Sequence, residues 1–376
     1  MHLAATADQR LFQETTRDFL ADTVPLATVR ALAENRAGLD RQWWRRGAQL
    51  GWTAPLVAES HGGGSVSGRP LTELAGIAEE FGRACAPGPL AATSAVLTGL
   101  AGADDRCATE IDAIVAGDAV ATWAVYEPGR GLDLASPGCL AVPDGAGYRL
   151  TGIKDRVEYG ADADLFLVTA HSPDGPVQVL VSASAPGVRA TPTWTLDLVR
   201  TTAHVEFRDV AVEPAVVLQR GPAAAAAARA QLQVAATLTA VELVGATDRA
   251  FDATVGWMFD RYTFGRPLAS YQALKHRMAD NKTWLEACRA TAWAAAAAWD
   301  DDAESAPECA AVAKAYVGDR APVIVQDCVQ LHGGIGVTWE HDLHLYLRRV
   351  TLGRALYGTP EEQYRRITEF LEQTAA

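Results

Sequence analysis

The hydrophobic period of this chain changes twice. From residue 1 to about 116, apolar side chains recur at helical spacing, as in QRLFQETTRDFL, LDRQWWRRGAQLGW and LTELAGIAEEFGRAC, with breaks at Pro25, Gly62 to Gly64 and Pro87 to Pro89. Residues 117 to 216 instead carry short β-like runs closed by turn residues: ATWAVY, CLAVP, YRLTG, DLFLVTA, VQVLVSA and TAHVEFRDVAV. From 217 to 376 the helical spacing returns. A helix buries a stripe of period 3.6 and a strand buries a face of period 2, so a pattern that suits one does not suit the other. The chain therefore reads as α+β in three blocks: an N-terminal helical domain (1–116), a central antiparallel β domain (117–216) and a C-terminal helical bundle (217–376). The frequent turns between strands favour antiparallel pairing over crossover helices. The bundle opens with AAAAAARAQLQVAATLTAVELVGATDRAF, and alanine both forms helices best and lets them approach closely.

Several functions are disfavoured at this level. Thirty-three basic against 46 acidic residues give a net charge of −13, which is the wrong sign for a nucleic-acid footprint. No apolar run reaches the roughly 20 residues of a membrane span. The opening MHLAATADQRLFQETTRDFL lacks the basic-then-apolar order of a signal peptide, so a cytoplasmic location is expected. Six dispersed cysteines (Cys85, Cys107, Cys139, Cys288, Cys309 and Cys328) form no C-x-x-C pair and read as reduced packing thiols. His332, His341 and His344 cluster in sequence, but no carboxylate or cysteine pattern beside them supports a metal. SHGGGSVSG lacks the lysine and hydroxyl residue of a phosphate loop and reads as a flexible inter-helix loop. There is no G-x-S-x-G elbow, and the ten tryptophans, Trp43, Trp44, Trp257, Trp293 and Trp299 among them, read as core or interface residues.

Two segments of the last block are richer, RYTFGRPLASYQALKHRMAD (261–280) and VQLHGGIGVTWEHDLHLYLRRV (329–350). In each, a cation or amide accompanies glycines. That combination suits an anionic cofactor, and it equally suits a helix end. In length, order and spacing the two segments resemble the acyl-CoA dehydrogenase family, as do PLVAESHGGGSVSGRPLTELAGIAEEFGRA and YRLTGIKDRVEYGADADLFLV, so the resemblance spans essentially the whole chain. It implies an N-terminal helical domain, a central β domain and a C-terminal four-helix bundle. It also implies a dimer or dimer of dimers that holds FAD between subunits, desaturates an acyl-CoA thioester at its α,β bond and passes electrons to an electron-transfer flavoprotein. On this resemblance Arg261 and Phe264 meet the FAD of a neighbouring subunit with Gln272 nearby. Gln330, Gly333 and Gly334 line its diphosphate and adenosine side, and Thr359, after Gly358, contacts flavin. Arginine can fork onto a diphosphate, and phenylalanine offers a ring system an apolar face.

The chain departs from the family where the chemistry occurs. The residue before the Gly-Thr pair, normally a glutamate base, is Tyr357, and a phenol is mostly protonated at neutral pH. The alternative base register on the long helix falls on Ala235. Glu242 lies seven residues further on, about 10 Å away along a helix, and shares a face with Arg249, so it is expected to be a structural ion-pair glutamate with only a weak claim to catalysis. Glu361 and Glu362 are expected to cap a helix. Arg156 and Glu158 stand where the resemblance places a tryptophan and a threonine against the flavin ring, and Glu127-Pro128-Gly129 survives without the usual glycine-serine-aspartate. Elements that reach a neighbour's cofactor are kept, while those that serve the chain's own site have changed. The resemblance is thus to a subunit of a heteromeric, actinobacterial type of enzyme acting on steroid side-chain thioesters. Three readings stay open: a desaturating flavoenzyme alone or with a partner subunit, a catalytically silent homologue that stabilises a partner, and a repurposed flavoenzyme of secondary metabolism.

Overall fold

The computed structural model describes residues 5–101 and 104–375. Helices α1 (Ala7–Thr23), α2 (Leu26–Asn35), α3 (Arg41–Gln49), α4 (Pro70–Ala84), α5 (Leu90–Leu100) and α6 (Ala108–Val115) come first. α1 starts at a capping box in which Thr6 and Gln9 exchange bonds, and α4 starts with proline at a position where a missing N–H leaves nothing unsatisfied. The loop before α4 is not the flexible segment expected. The Glu73 carboxylate accepts from the Val66 and Ser67 amides and from the Ser65 and Ser67 hydroxyls, which ties the loop to the helix it precedes.

The sheet contains β1 (Ala121–Ala124), β2 (Leu140–Asp144), β3 (Gly147–Glu158), β4 (Leu165–Ser172), β5 (Gly175–Ser182), β6 (Val188–Thr193), β7 (Thr202–Val212) and β8 (Val217–Arg220). Its order is β6-β7-β3-β2-β4-β5-β8, with β1 beside β4. Pairing is antiparallel except that β1 and the start of β2 run parallel to β4. Two strands carry no clear alternation in the sequence. β6 contains Pro192 and sits at the sheet edge, where a missing N–H is tolerated, and four-residue β8 closes the other edge against β5.

The last part comprises α7 (Gly221–Asp260), a two-residue hairpin of β9 (Tyr262–Thr263) and β10 (Arg266–Pro267), then α8 (Gln272–Asp300), α9 (Ala306–His332), α10 (Leu343–Ala355) and α11 (Pro360–Ala375). Every residue of α7 from Val234 to Asp248 is buried, the pattern of a helix surrounded on all sides. α7 meets α4 glycine to glycine: a Cβ on Gly82 would lie 1.9 Å from the Glu242 carbonyl, and one on Gly245 would lie 1.9 Å from that of Glu79. That close crossing brings the middle of α7, with Glu242, against the N-terminal helices and the mouth of the sheet.

Candidate functional site

Chain elements from all three blocks converge around Glu242. The turn between α10 and α11 holds Tyr357 at φ 54°, a left-handed conformation uncommon for a tyrosine, followed by Gly358 at φ 98°. The Tyr357 ring is buried and lies parallel to that of Trp123 at the end of β1, with centroids 6.3 Å apart. Its hydroxyl donates to Glu158 at the end of β3 over 2.5 Å, and its amide donates to the Tyr126 hydroxyl. Arg200, in the β6–β7 loop, bridges Glu158 and Glu242 at 2.6 Å each. Arg349 of α10 continues the chain, 2.7 Å from Glu242, paired with Asp197, and donating to the Cys85 and Ala86 carbonyls.

All of these side chains are buried. Burial pushes the Glu242 carboxyl up, but Arg200 and Arg349 outweigh it and hold the group below its ordinary value. Burial and the facing Glu158 carboxylate drive the Tyr357 phenol well above its ordinary value. The phenol therefore keeps its proton at neutral pH and spends it on Glu158. Glu242 is ion-paired, and its partners are Arg200 and Arg349 rather than Arg249. Arg249, two turns further on, lies exposed and bonded to the Tyr346 side chain, just past the stretch from Val234 to Asp248 where α7 is buried on all sides. Ala235 is fully buried. Nearby, Glu127 accepts from Gly138, Cys139 and Lys154. Burial opposes its charge, yet the lysine and these donors pull its carboxyl below the ordinary value. Arg156 stacks its guanidinium 4.6 Å over the Tyr126 ring.

The other sequence candidates lie elsewhere and face outward. Arg261, Phe264, Gln272, Gln330, Gly333 and Gly334 are all exposed. Phe264 and Gly265 turn the β9–β10 hairpin with φ 52° and 77°, which leaves the Phe264 ring 94% exposed. A Cβ on Gly333 or Gly334 would meet nothing within 4 Å, so the backbone there is open to an approaching group. Thr359 caps α11: its hydroxyl accepts from the Glu362 amide, and Glu362 accepts from the Thr359 amide at 2.8 Å. Glu361 also belongs to the cap, its carboxyl pulled down to about 2 by its own amide and by Arg354. Buried Lys314 donates to the carbonyls of Arg354 and Gly358, which fixes the turn that carries Tyr357.

A cavity of about 1040 Å³ opens between the 130–135 loop, the first half of α7, the start of α9, and α11. Arg130, Arg229, Arg365 and Arg366 stand around it together with the carboxylates of Asp133, Glu362 and Glu369, and Leu134 and Leu232 lie on its apolar wall. Neither Tyr357 nor any tryptophan lines it. Gln363 does, and its amide also donates to the Tyr357 carbonyl at 2.9 Å. His332 stacks on Trp257 with centroids 5.0 Å apart, and His344 stacks on Trp339 at 4.4 Å. Among the described residues no group of three histidine, cysteine, aspartate or glutamate side chains has the geometry to hold a metal, and no helix is long and apolar enough to cross a membrane. Arg200, Asp197 and Tyr126 carry no motif and were not legible as site residues. Arg349 lies inside a quoted motif with nothing to indicate its partners.

Family comparison matches residues 6–106 to the acyl-CoA dehydrogenase N-terminal domain and residues 225–372 to the acyl-CoA dehydrogenase C-terminal domain. Acyl-CoA dehydrogenase IpdE2 of Mycolicibacterium smegmatis is 29% identical, covering 96% of this chain and 97% of that protein. Acyl-CoA dehydrogenase FadE27 of Mycobacterium tuberculosis is 30% identical over 90% of each chain. Among solved structures, a single-substitution variant of the Tcur3481-Tcur3483 steroid ACAD superposes with a TM-score of 0.87 at 31% identity over 98% of both chains. The ChsE4-ChsE5 complex from Mycobacterium tuberculosis superposes with a TM-score of 0.89 at 26% identity over the whole of both.

Proposed function

The chain belongs to the acyl-CoA dehydrogenase family, and from that premise we propose that it is the subunit of a heteromeric acyl-CoA dehydrogenase that lends residues to its partner's FAD and supplies no base of its own. The observation that carries this reading is the buried chain Tyr357–Glu158–Arg200–Glu242–Arg349. It stands where the family places its own-subunit flavin contact and its base, and every member is already bonded to another. The exposed set fits a dinucleotide and the buried set does not. Arg261 and Phe264 project from the surface and Gly333 and Gly334 leave the backbone bare, whereas buried Glu158, with exposed Arg156 two residues before it, puts charge where the resemblance places the flavin ring. Bound there, FAD would supply the acceptor for a hydride from the β carbon of the thioester. Arg261 would pair with its diphosphate, Phe264 would cover an apolar face of it, and the bare backbone at Gly333 and Gly334 would allow close approach.

The four arginines around the cavity suit the phosphates of a coenzyme A thioester, and the apolar wall suits its acyl portion. The 31% identical steroid ACAD structure supports a steroid-derived acyl group as the substrate class, and the resemblance supports an electron-transfer flavoprotein as acceptor. Burial of Tyr357 and its bond to Glu158 support a silent centre over a repurposed one. Six free thiols, five of them buried, suit a reducing cytoplasm. Co-expression with an acyl-CoA dehydrogenase-like partner from the same genome tests the proposal. The expected product is a stable complex that is yellow and bleaches anaerobically on addition of acyl-CoA, while the chain alone does neither. A chain that binds FAD and bleaches by itself would overturn it.

A further inference from the structure

The loop that carries Gly333 and Gly334 is held by an element from the other end of the sequence. α9 ends at His332, Gly333 turns the chain at φ 66°, and residues 338–342 run across the surface to α10. Arg30 of α2 donates to the carbonyls of Trp339 and Glu340 and pairs with Asp342, so one guanidinium reaches three sites on the strap. One turn further along α2, Glu34 accepts from the Trp339 indole at 3.1 Å. Among the described residues these are the hydrogen bonds that tie residues 338–342 to another part of the chain. Ring contacts also hold the strap: His332 stacks on Trp257, His341 meets both of these rings at steep angles, and Trp339 stacks on His344. Stacked rings fix the height of a loop above the bundle but resist sliding poorly, whereas a planar five-donor fork fixes it along and across.

We infer that Arg30, assisted by Glu34, is a positioning residue for the cofactor. It touches no ligand, but it sets the 333–342 loop in the conformation that presents Gly333 and Gly334. The inference rests on the reading that this loop serves a dinucleotide shared with a partner. Both carbonyls that Arg30 holds lie within six residues of Gly334, so slack there is passed directly to the glycines. Preorganising a loop removes an ordering penalty that the ligand would otherwise meet on binding.

The test uses the full chain and the flavin-containing assembly purified through it, with FAD as the probe. Arg30→Met is expected to raise hydrogen exchange of the 333–342 amides selectively and to weaken FAD binding about tenfold. Arg30→Lys, which keeps one cationic donor group, is expected to restore part of both. Gly334→Val is the control on the underlying reading, because a Cβ at this exposed position meets nothing within 4 Å in the chain and the added bulk is directed at what approaches from outside. Unchanged exchange and unchanged FAD affinity in Arg30→Met, with Gly334→Val impaired, would overturn the positioning role alone. If Gly334→Val binds FAD normally, the shared-cofactor reading fails and the cofactor role of Arg30 fails with it. Increased exchange would then show a clamp that serves only the fold.

Discussion

Tyr357 and Phe264 share a backbone conformation and differ in everything else. Both are aromatic residues at positive φ followed by glycine, yet one is buried against a carboxylate and the other is almost wholly exposed. Tyr357→Phe removes the proton donated to Glu158 and leaves a buried carboxylate short of one partner. The expected loss is about 1–3 kcal/mol of stability in urea denaturation, with the turnover of the assembly unchanged. Turnover reduced a hundredfold at unaltered stability would make Tyr357 catalytic. Phe264→Asn should act in the opposite sense. Asparagine tolerates the left-handed region and precedes glycine in the favoured two-residue hairpin turn, so the chain should gain roughly 1 kcal/mol while the assembly holds FAD more weakly. A position where the better-folding residue is the worse-binding one has the signature of strain kept for function. The residue types of these sites were readable in the sequence, since Tyr357 stands one place before Gly-Thr and Phe264 stands within R-x-x-F-G. Their surroundings were not. Glu158, Arg200, Glu242 and Arg349 are separated by 42 to 107 residues in the pairs they form, and no local pattern encodes such contacts.

The elements were legible in proportion to their period. Long helices and alternating strands announce themselves, whereas β6 with Pro192 and four-residue β8 exist because β7 and β5 offer them edges. The α10–α11 turn is another case where packing decides. Lys314, buried in α9, holds the turn by donating to two of its carbonyls, and burial, reinforced by the Arg354 charge, brings its amine down from 10.5 to about 7. In the folded chain the proton leaves near pH 7, while the unfolded side chain keeps it to about 10.5. Unfolding therefore takes up a proton between those values, and this group makes stability rise with pH across that window by up to about 1.4 kcal/mol per unit. Below pH 7 both states are protonated and the penalty of a buried charge stands in full. Lys314→Met should flatten this part of the stability–pH curve measured by chemical denaturation, and an unaltered slope would show that the amine stays charged in the fold.

At the scale of the molecule, the buried chain of charges joins all three blocks. Arg349 reaches the Cys85 and Ala86 carbonyls behind α4, Asp197 and Arg200 come from the sheet side, and Glu242 comes from the central helix. Removing Arg349 strands the buried Asp197 carboxylate and leaves Glu242 with Arg200 alone, so Arg349→Met is expected to cost about 3–5 kcal/mol and to lower the melting temperature of the chain with or without added FAD. On the proposed function the chain would offer Arg261, Phe264 and the glycine loop to a flavin held elsewhere. The acidic net charge, −13, says nothing of this, because on the proposed function anionic ligands would be met by local arginines. The central claim is therefore one of stoichiometry. Flavin absorbance against chain concentration, measured on the native assembly and on this chain alone, should give one FAD for each pair of unlike subunits and none for the isolated chain. One FAD per copy of this chain by itself would contradict the account.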